Sequence, residues 1–171
     1  MRYGYFDDEN REYVIDRVDT PVSWTNYIGT KDMCGVFNQT AGGYLFSGSS
    51  EYHRITRFRA NGVPMDFPGH YVYLRDDADG DYWSISWQPV GKSLDQAKYA
   101  CRHGLSYSKY LCDYRGIHAE QTLFVAQPDR GEFGVVGFET AGARAGIFPP
   151  FPFGVFFFLK QLGPWPLRLK S

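Results

Sequence analysis

Apolar and polar residues alternate with a period of two along much of the first 125 residues. This period is typical of β-strands with one buried face, because successive side chains point to opposite sides of a sheet. It is clearest over residues 107–112 and 117–125, which are separated by the turn-forming segment 113–116. The pattern predicts a hairpin at this point of the chain.

Further strand-like runs are rich in aromatic and β-branched residues and are separated by turn-forming residues. They lie at residues 3–6, 13–15, 44–46, 52–59, 71–74 and 82–87. Asn61-Gly62 predicts a tight turn, since both residues tolerate a positive φ. Only residues 93–99 have a helix-friendly composition, and that stretch is short. Several strands at spacings of about 8–12 residues predict an all-β fold, an antiparallel sandwich or barrel.

The composition changes abruptly after residue 125. All 13 Tyr lie at or before Tyr114, whereas 8 of the 14 Phe and 6 of the 10 Pro lie in residues 126–171. We therefore divide the chain into a β domain at 1–125 and an atypical Gly/Pro/Phe-rich tail at 126–171. Our hypothesis is that the tail arises from a frame shift or a truncated gene; a divergent extension that packs its Phe residues on the sandwich is the alternative.

Charge and cysteine content exclude several classes of protein. The 18 Lys and Arg nearly balance the 19 Asp and Glu, which argues against a protein that binds nucleic acid as its main partner. Three Cys do not indicate a disulfide framework, and the first residues lack an apolar signal region. The apolar run 147–159 is too short to cross a membrane and contains three Pro. We expect a cytoplasmic protein without a membrane partner.

Two clusters of possible metal ligands do not have the spacing of known sites. The acidic segment 76–81 fails the EF-hand pattern, because neither register places Gly at position six and Glu at position twelve. The possible zinc ligands Cys101, His103, Cys112 and His118 lack the closely paired spacing of structural zinc sites. We predict no metal site and interpret the acidic segment as a hairpin loop.

Aromatic and basic residues supply the candidate contacts to carbohydrate. Trp83 and Trp87 could stack on the C–H-rich faces of sugar rings, and Arg57 and Arg59 belong to a basic stretch with interleaved aromatic residues. Packing in the core or at an interface explains the two Trp equally well. A solvated strand face, or an Arg ladder that pairs with carboxylates of a neighbouring domain, explains the two Arg. No nucleophile elbow, phosphate-binding loop, zinc-protease motif or dinucleotide fingerprint occurs, so we assign no catalytic residue.

Several longer motifs resemble the amino terminus of cellobiose phosphorylases, a glycosyltransferase-36-type group in glycoside hydrolase family 94. They lie at residues 2–8, 13–15, 20–27, 40–44, 57–64, 71–76, 83–90 and 103–107. The resemblance implies a super-sandwich of the galactose-mutarotase-like type, of which residues 1–125 would form an incomplete part. It also implies a cytoplasmic homodimer that uses inorganic phosphate as co-substrate and needs no other cofactor.

The resemblance further implies a reaction that this chain lacks the residues to perform. Such enzymes split cellobiose with phosphate, with inversion, into α-glucose 1-phosphate and glucose. An Asp in a separate helical barrel protonates the glycosidic oxygen, and no position of this chain matches that Asp. We therefore expect a structural and dimerising domain, inactive alone, of an enzyme for cellobiose or a related β-glucoside. The alternative is a free-standing carbohydrate-binding β module.

Overall fold

The computed structural model describes residues 2–56, 68–76, 78–126, 131–140 and 153–157, with only the backbone of 131–133, 140 and 153–157. All regular secondary-structure elements in these ranges are β-strands, as the alternating pattern predicts. The strands are β1 (Gly4–Asp7), β2 (Glu12–Ile15), β3 (Thr25–Gly29), β4 (Met33–Asn38), β5 (Gly43–Ser47), β6 (Val72–Asp76), β7 (Tyr82–Ser84), β8 (Lys98–His103), β9 (Tyr107–Tyr114), β10 (Ile117–Ala126), β11 (Gly131–Thr140) and β12 (Phe153–Phe157). No helix in the described ranges is long and apolar enough to span a membrane.

The largest sheet has six antiparallel strands in the order β1-β2-β8-β9-β10-β11. The predicted hairpin at 113–116 is confirmed: β9 and β10 pair from Tyr114 and Ile117 outward. Its two connecting residues, Arg115 and Gly116, both have positive φ, which matches the twist of a two-residue hairpin.

Two three-stranded antiparallel sheets complete the architecture. One has the order β3-β4-β5, and the other has the order β12-β6-β7. β4 turns one face toward the core. Its alternate residues Met33, Gly35 and Phe37 are buried, while the residues between them are half-buried.

The core draws buried side chains from all three sheets. The six-stranded sheet supplies Ile15, Cys101, Tyr110, Cys112, Ala119 and Leu123; the other two supply Ile28, Met33, Phe37, Leu45, Val72, Leu74 and Trp83. The predicted all-β antiparallel sandwich is therefore the observed fold.

The sequence pattern missed or misplaced several strands. We predicted no strand at β3, β4 or β8, where alternation is weakened by Gly, Cys and small polar residues. The predicted strand 82–87 ends at Ser84, because the chain turns there and Trp87 adopts a φ of 71°. The described part of the predicted run 52–59 forms turns and one isolated bridge between Phe46 and Arg54.

Two strands lie beyond the boundary that we placed at residue 125. β10 ends at Ala126, and all ten residues of β11 pair with it. The backbone of β12 pairs antiparallel with β6, from Phe153 opposite Asp76 to Phe157 opposite Val72. Part of the tail thus extends two sheets: β11 is added to the six-stranded sheet, and β12 is added to the sheet of β6 and β7.

Candidate functional site

An open groove of about 970 Å³ lies where the β1–β2 hairpin, the start of β3 and the β8–β9 turn meet. We call it the hairpin groove. Its lining residues are Phe6, Asp7, Asp8, Arg11, Glu12, Tyr13, Trp24, Thr25, Asn26, Tyr27, His103, Gly104 and Leu105. Aromatic rings and groups that form hydrogen bonds are therefore mixed along one surface.

The aromatic rings of the hairpin groove contact one another. The half-buried Trp24 ring contacts two tyrosines, 6.0 Å from the Tyr3 ring and 5.8 Å from the Tyr13 ring. Phe6 packs edge-on against Tyr13 at 4.8 Å. Tyr27 also lines the groove, contacts Phe46 edge-on and remains 63% exposed. Edge-to-face contacts of this kind hold rings in fixed orientations.

A buried carboxylate lies beneath these rings. Glu12 accepts hydrogen bonds from the Arg102 guanidinium at 2.8 Å and from the Tyr107 hydroxyl at 2.5 Å. The bond to Glu12 raises the pKa of Tyr107 to about 12, so the phenol stays protonated. Asp7 also accepts from Arg102, at 3.2 Å, and its pKa is lowered chiefly by the hydrogen bond from the Asn10 side chain. Both carboxylates thus serve as acceptors within the fold.

His103 connects the six-stranded sheet to β3. Its Nε2 lies 3.1 Å from the Trp24 carbonyl oxygen, and its Nδ1 lies 3.0 Å from the Ser108 hydroxyl. Burial lowers the pKa of the ring, which favours the neutral form. A carbonyl oxygen only accepts, so Nε2 carries the proton and Nδ1 accepts from Ser108. Asn26 adds a second link, donating through Nδ2 to the carbonyl oxygens of Gly104 at 2.8 Å and Tyr107 at 2.9 Å.

Residues 11–144 match the family described as Glycosyl hydrolase 94, supersandwich domain. The chain belongs to this family. The resemblance to family 94 is therefore confirmed, and so is the predicted super-sandwich fold. The match extends 19 residues past position 125, so similarity to the family does not end at the boundary that we predicted.

The relatives of this supersandwich domain include much longer disaccharide phosphorylases. N,N'-diacetylchitobiose phosphorylase of Vibrio proteolyticus is 56% identical over 158 residues, which cover 92% of this chain and 20% of the relative. The enzyme of the same name from Vibrio furnissii is 62% identical over 125 residues, 73% of this chain and 16% of the relative. Solabiose phosphorylase of Paenibacillus borealis is 32% identical over 136 residues, 78% of this chain and 17% of the relative.

The chain thus spans about a fifth or less of the length of these relatives. None of the three is named for cellobiose, so a disaccharide phosphorylase family is shown but the specific resemblance to cellobiose phosphorylase is not. The 158 residues matched to the Vibrio proteolyticus enzyme leave at most 13 of 171 outside the match, so this similarity extends into the predicted tail.

Neither of the two tryptophans predicted to contact carbohydrate, Trp83 and Trp87, lines the hairpin groove. Trp83 is fully buried in the supersandwich core, with its ring edge-on to Tyr114 at 5.1 Å. A ring without exposed surface has no face for a sugar in this conformation. Trp87 is half-buried, and its Nε1 donates to the Lys92 carbonyl oxygen at 2.9 Å. Arg57 and Arg59 lie outside the described residues.

The acidic loop has positively charged partners within the supersandwich domain. Arg115 binds Asp76 at 3.0 Å and Asp79 at 2.6 Å, which lowers the pKa of Asp79 to about 2. Asp81 accepts from Lys92 and from the Tyr114 hydroxyl, and the bond from Lys92 is the main cause of its lowered pKa. These contacts attach the β6–β7 loop to the β9–β10 turn.

The four possible zinc ligands are not gathered into one cluster. The Cys101 thiol lies 3.7 Å from the His103 ring, whereas His118 binds Asp113 at 2.6 Å on the other side of the sheet. Among the described residues, no three His, Cys, Asp or Glu side chains are placed to hold a metal ion.

Sequence reasoning missed the hairpin groove because its lining comes from four separate segments. The motifs at residues 2–8, 20–27 and 103–107, quoted above for their resemblance, contribute many of its residues. Their high aromatic content was a usable signal, but it did not show which rings would meet in space.

Proposed function

We propose that this chain is the amino-terminal supersandwich domain of an inverting phosphorylase that acts on N,N'-diacetylchitobiose. The observation that supports this choice of substrate is the 56% and 62% identity to two Vibrio enzymes that are named for it. The solabiose enzyme, at 32%, is considerably more distant. Cellobiose, the substrate expected from the resemblance, becomes the competitor to be tested.

The proposed reaction transfers a glycosyl group to inorganic phosphate. A phosphate oxygen forms a bond to the anomeric carbon while the bond from that carbon to the bridging oxygen breaks. A general acid donates a proton to that oxygen, which gives N-acetylglucosamine 1-phosphate and N-acetylglucosamine. Phosphate is the co-substrate, and the proposal needs no other cofactor.

The described residues support a structural role for this domain in that reaction. An acid must hold a proton near neutral pH, yet Asp7, Asp79 and Asp81 have lowered pKa values. Glu12 is engaged by a guanidinium and a phenol. We therefore place the acid and the phosphate-binding groups elsewhere in the complete enzyme, which we propose to be a cytoplasmic homodimer stabilised in part by this domain.

The complete gene tests the substrate. Sequencing downstream of codon 125 in all three frames gives the full reading frame, whose product is then supplied with phosphate and either disaccharide. We expect release of N-acetylglucosamine 1-phosphate, with kcat/KM at least about 100-fold above that for cellobiose, because a site built to bind an acetamido group rejects a sugar without one. Equal or better use of cellobiose would contradict the substrate assignment.

A domain exchange tests the structural role. Residues 1–144 of this chain replace the matching segment of the Vibrio proteolyticus enzyme, and we expect kcat/KM within about tenfold of the parent, since the core and its contacts are shared. The isolated chain should give no sugar phosphate. Turnover by the isolated chain, or a folded exchange protein that has lost all activity, would count against the proposed role.

A further inference from the structure

We propose that the hairpin groove is a binding site for saccharides built of β-linked N-acetylglucosamine. The class of sugar rests on the proposed function, whereas the presence of a site rests on the geometry of the groove. Four features carry the proposal: the size of the groove, its exposed aromatic rings, its polar side chains and the hydrogen bonds that hold its walls.

The groove has the size of a small-ligand site. Its volume of about 970 Å³ lies at the upper end of the range of about 300–1,000 Å³ that is typical of ligand pockets. It is open to solvent. An open groove admits the interior of a longer oligosaccharide as well as a disaccharide.

The aromatic rings offer the apolar surface that a pyranose needs. Trp24 is half-buried and contacts the rings of Tyr3 and Tyr13, and Tyr27 is 63% exposed. The C–H-rich face of a sugar ring and the methyl of an acetamido group pack on such rings and remove their surface from water. Trp24 lies just before β3 and Tyr27 lies within it, and both residues line the groove.

Polar side chains at the mouth supply hydrogen bonds of the kinds that sugars form. Asp8, Arg11 and Thr25 are exposed there. A carboxylate accepts from sugar hydroxyls, a guanidinium donates to hydroxyl or acetamido oxygens, and a threonine hydroxyl does both. The combination of aromatic faces with both donors and acceptors fits a neutral saccharide better than a purely apolar ligand.

Internal hydrogen bonds hold the walls in place before any ligand arrives. His103 and Asn26 tie the start of β3 to the β8–β9 turn, and Glu12 ties the β1–β2 hairpin to Arg102 and Tyr107. A preformed site loses little conformational entropy on binding, which matters for a weakly binding sugar.

Titration of the full chain tests the proposal. N,N'-diacetylchitobiose and cellobiose are added to the protein, with tryptophan fluorescence and ligand-observed NMR as readouts. We expect saturable binding of N,N'-diacetylchitobiose, with cellobiose at least about threefold weaker because it lacks the acetamido methyl groups. Binding should change the fluorescence of Trp24, whose ring lies in the groove.

Two variants of exposed residues locate the site without disturbing the core. Tyr27→Ala should weaken binding by about 3- to 10-fold, the loss expected for one stacking contact, and Asp8→Asn should weaken it by a smaller factor. Tyr82→Ala is the matched control, since Tyr82 is also an exposed strand tyrosine, at 55%, and lies outside the groove. Circular dichroism checks that each variant is folded.

The outcomes separate this proposal from the proposed function. No saturation by either sugar at about 10 mM, affinities unchanged in both groove variants, or a Tyr27-dependent self-association without sugar binding would each overturn the saccharide site. If the complete enzyme is active on N,N'-diacetylchitobiose while the titration fails, only the groove proposal is wrong. If the titration favours cellobiose, the assigned sugar class is wrong.

Discussion

At the scale of single residues, His103 is one of the side chains that connect the six-stranded sheet to the segment leading into β3. Its ring donates to the Trp24 carbonyl oxygen, accepts from Ser108 and lies against the Cys101 thiol. These contacts suit the neutral ring, and burial lowers its pKa. Protonation therefore opposes the folded state.

This arrangement predicts a pH dependence of stability. The unfolded chain takes up a proton at His103 near pH 6.5, whereas the folded chain resists it, so the unfolded state binds more protons below that pH. The free energy of unfolding should fall as the pH is lowered through this range. In His103→Gln that fall should be smaller, as measured by urea unfolding at a series of pH values.

An exposed histidine provides the control for this prediction. His53→Gln removes the same type of side chain from a solvent-facing position and should leave the pH profile close to that of the parent. Parallel profiles for the parent and His103→Gln would show that His103 does not carry the effect.

The tryptophans show that side-chain exposure could not be predicted from the sequence. Composition and pattern identified Trp83 and Trp87 as equivalent candidates for sugar contact. In the fold, Trp83 is fully buried and Trp87 is half-buried in a turn, while Trp24 lines the groove. Exposure depends on which elements pack over a residue, and no local pattern around a tryptophan encodes that.

At the scale of elements, the β4–β5 pair depends on a glycine. Gly43 opens β5 opposite Phe37 with a φ of 151°, and a Cβ at this position would lie 1.8 Å from the Val36 carbonyl oxygen. No side chain fits without moving the backbone of β4. The close approach of the two strands at this point is therefore possible only with glycine.

Gly43→Ala should accordingly destabilise the domain by at least about 2 kcal/mol, since both the backbone conformation and the clash oppose the new methyl group. Urea unfolding measures the change. Gly137→Ala on β11 is the control, because a Cβ there meets no described atom within 4 Å, and its midpoint should remain near that of the parent. Equal midpoints for the two variants would contradict the explanation.

Element prediction worked where the local pattern was strong. The hairpin of β9 and β10 has clear alternation and a two-residue turn, and both strands lie where they were predicted. β3, β4 and β8 were missed because their pairing partners, rather than their own residues, select the extended conformation. β8 pairs with β2 and β9 inside the largest sheet, although little alternation marks it.

At the scale of the whole molecule, β11 lies at the end of the six-stranded sheet among the described strands. Val135 on this strand is 59% exposed. The groove residues Phe6 and Leu105 are also exposed, at 77% and 83%. Exposed apolar side chains, and a strand edge that has no partner among the described strands, favour association between chains.

We expect the isolated chain to self-associate in a concentration-dependent manner, measured by light scattering after size-exclusion chromatography. Val135→Lys should reduce this association, because a charge next to the strand edge opposes pairing with a second chain. Leu94→Lys is the matched control, since Leu94 is exposed but lies outside every strand. A monomer with a cooperative melt would contradict the prediction.

The sequence by itself determined that this protein is all-β, that its strands are antiparallel and that it belongs with family 94. Those conclusions rest on a period of two, on turn residues and on motifs, all of which are local properties of the chain. Tertiary structure alone decided that Trp83 fills the core and that Trp24, Tyr27 and the β1–β2 hairpin form one groove. Residues distant in sequence meet only after the sheets pack, and the chemistry of a site depends on that meeting.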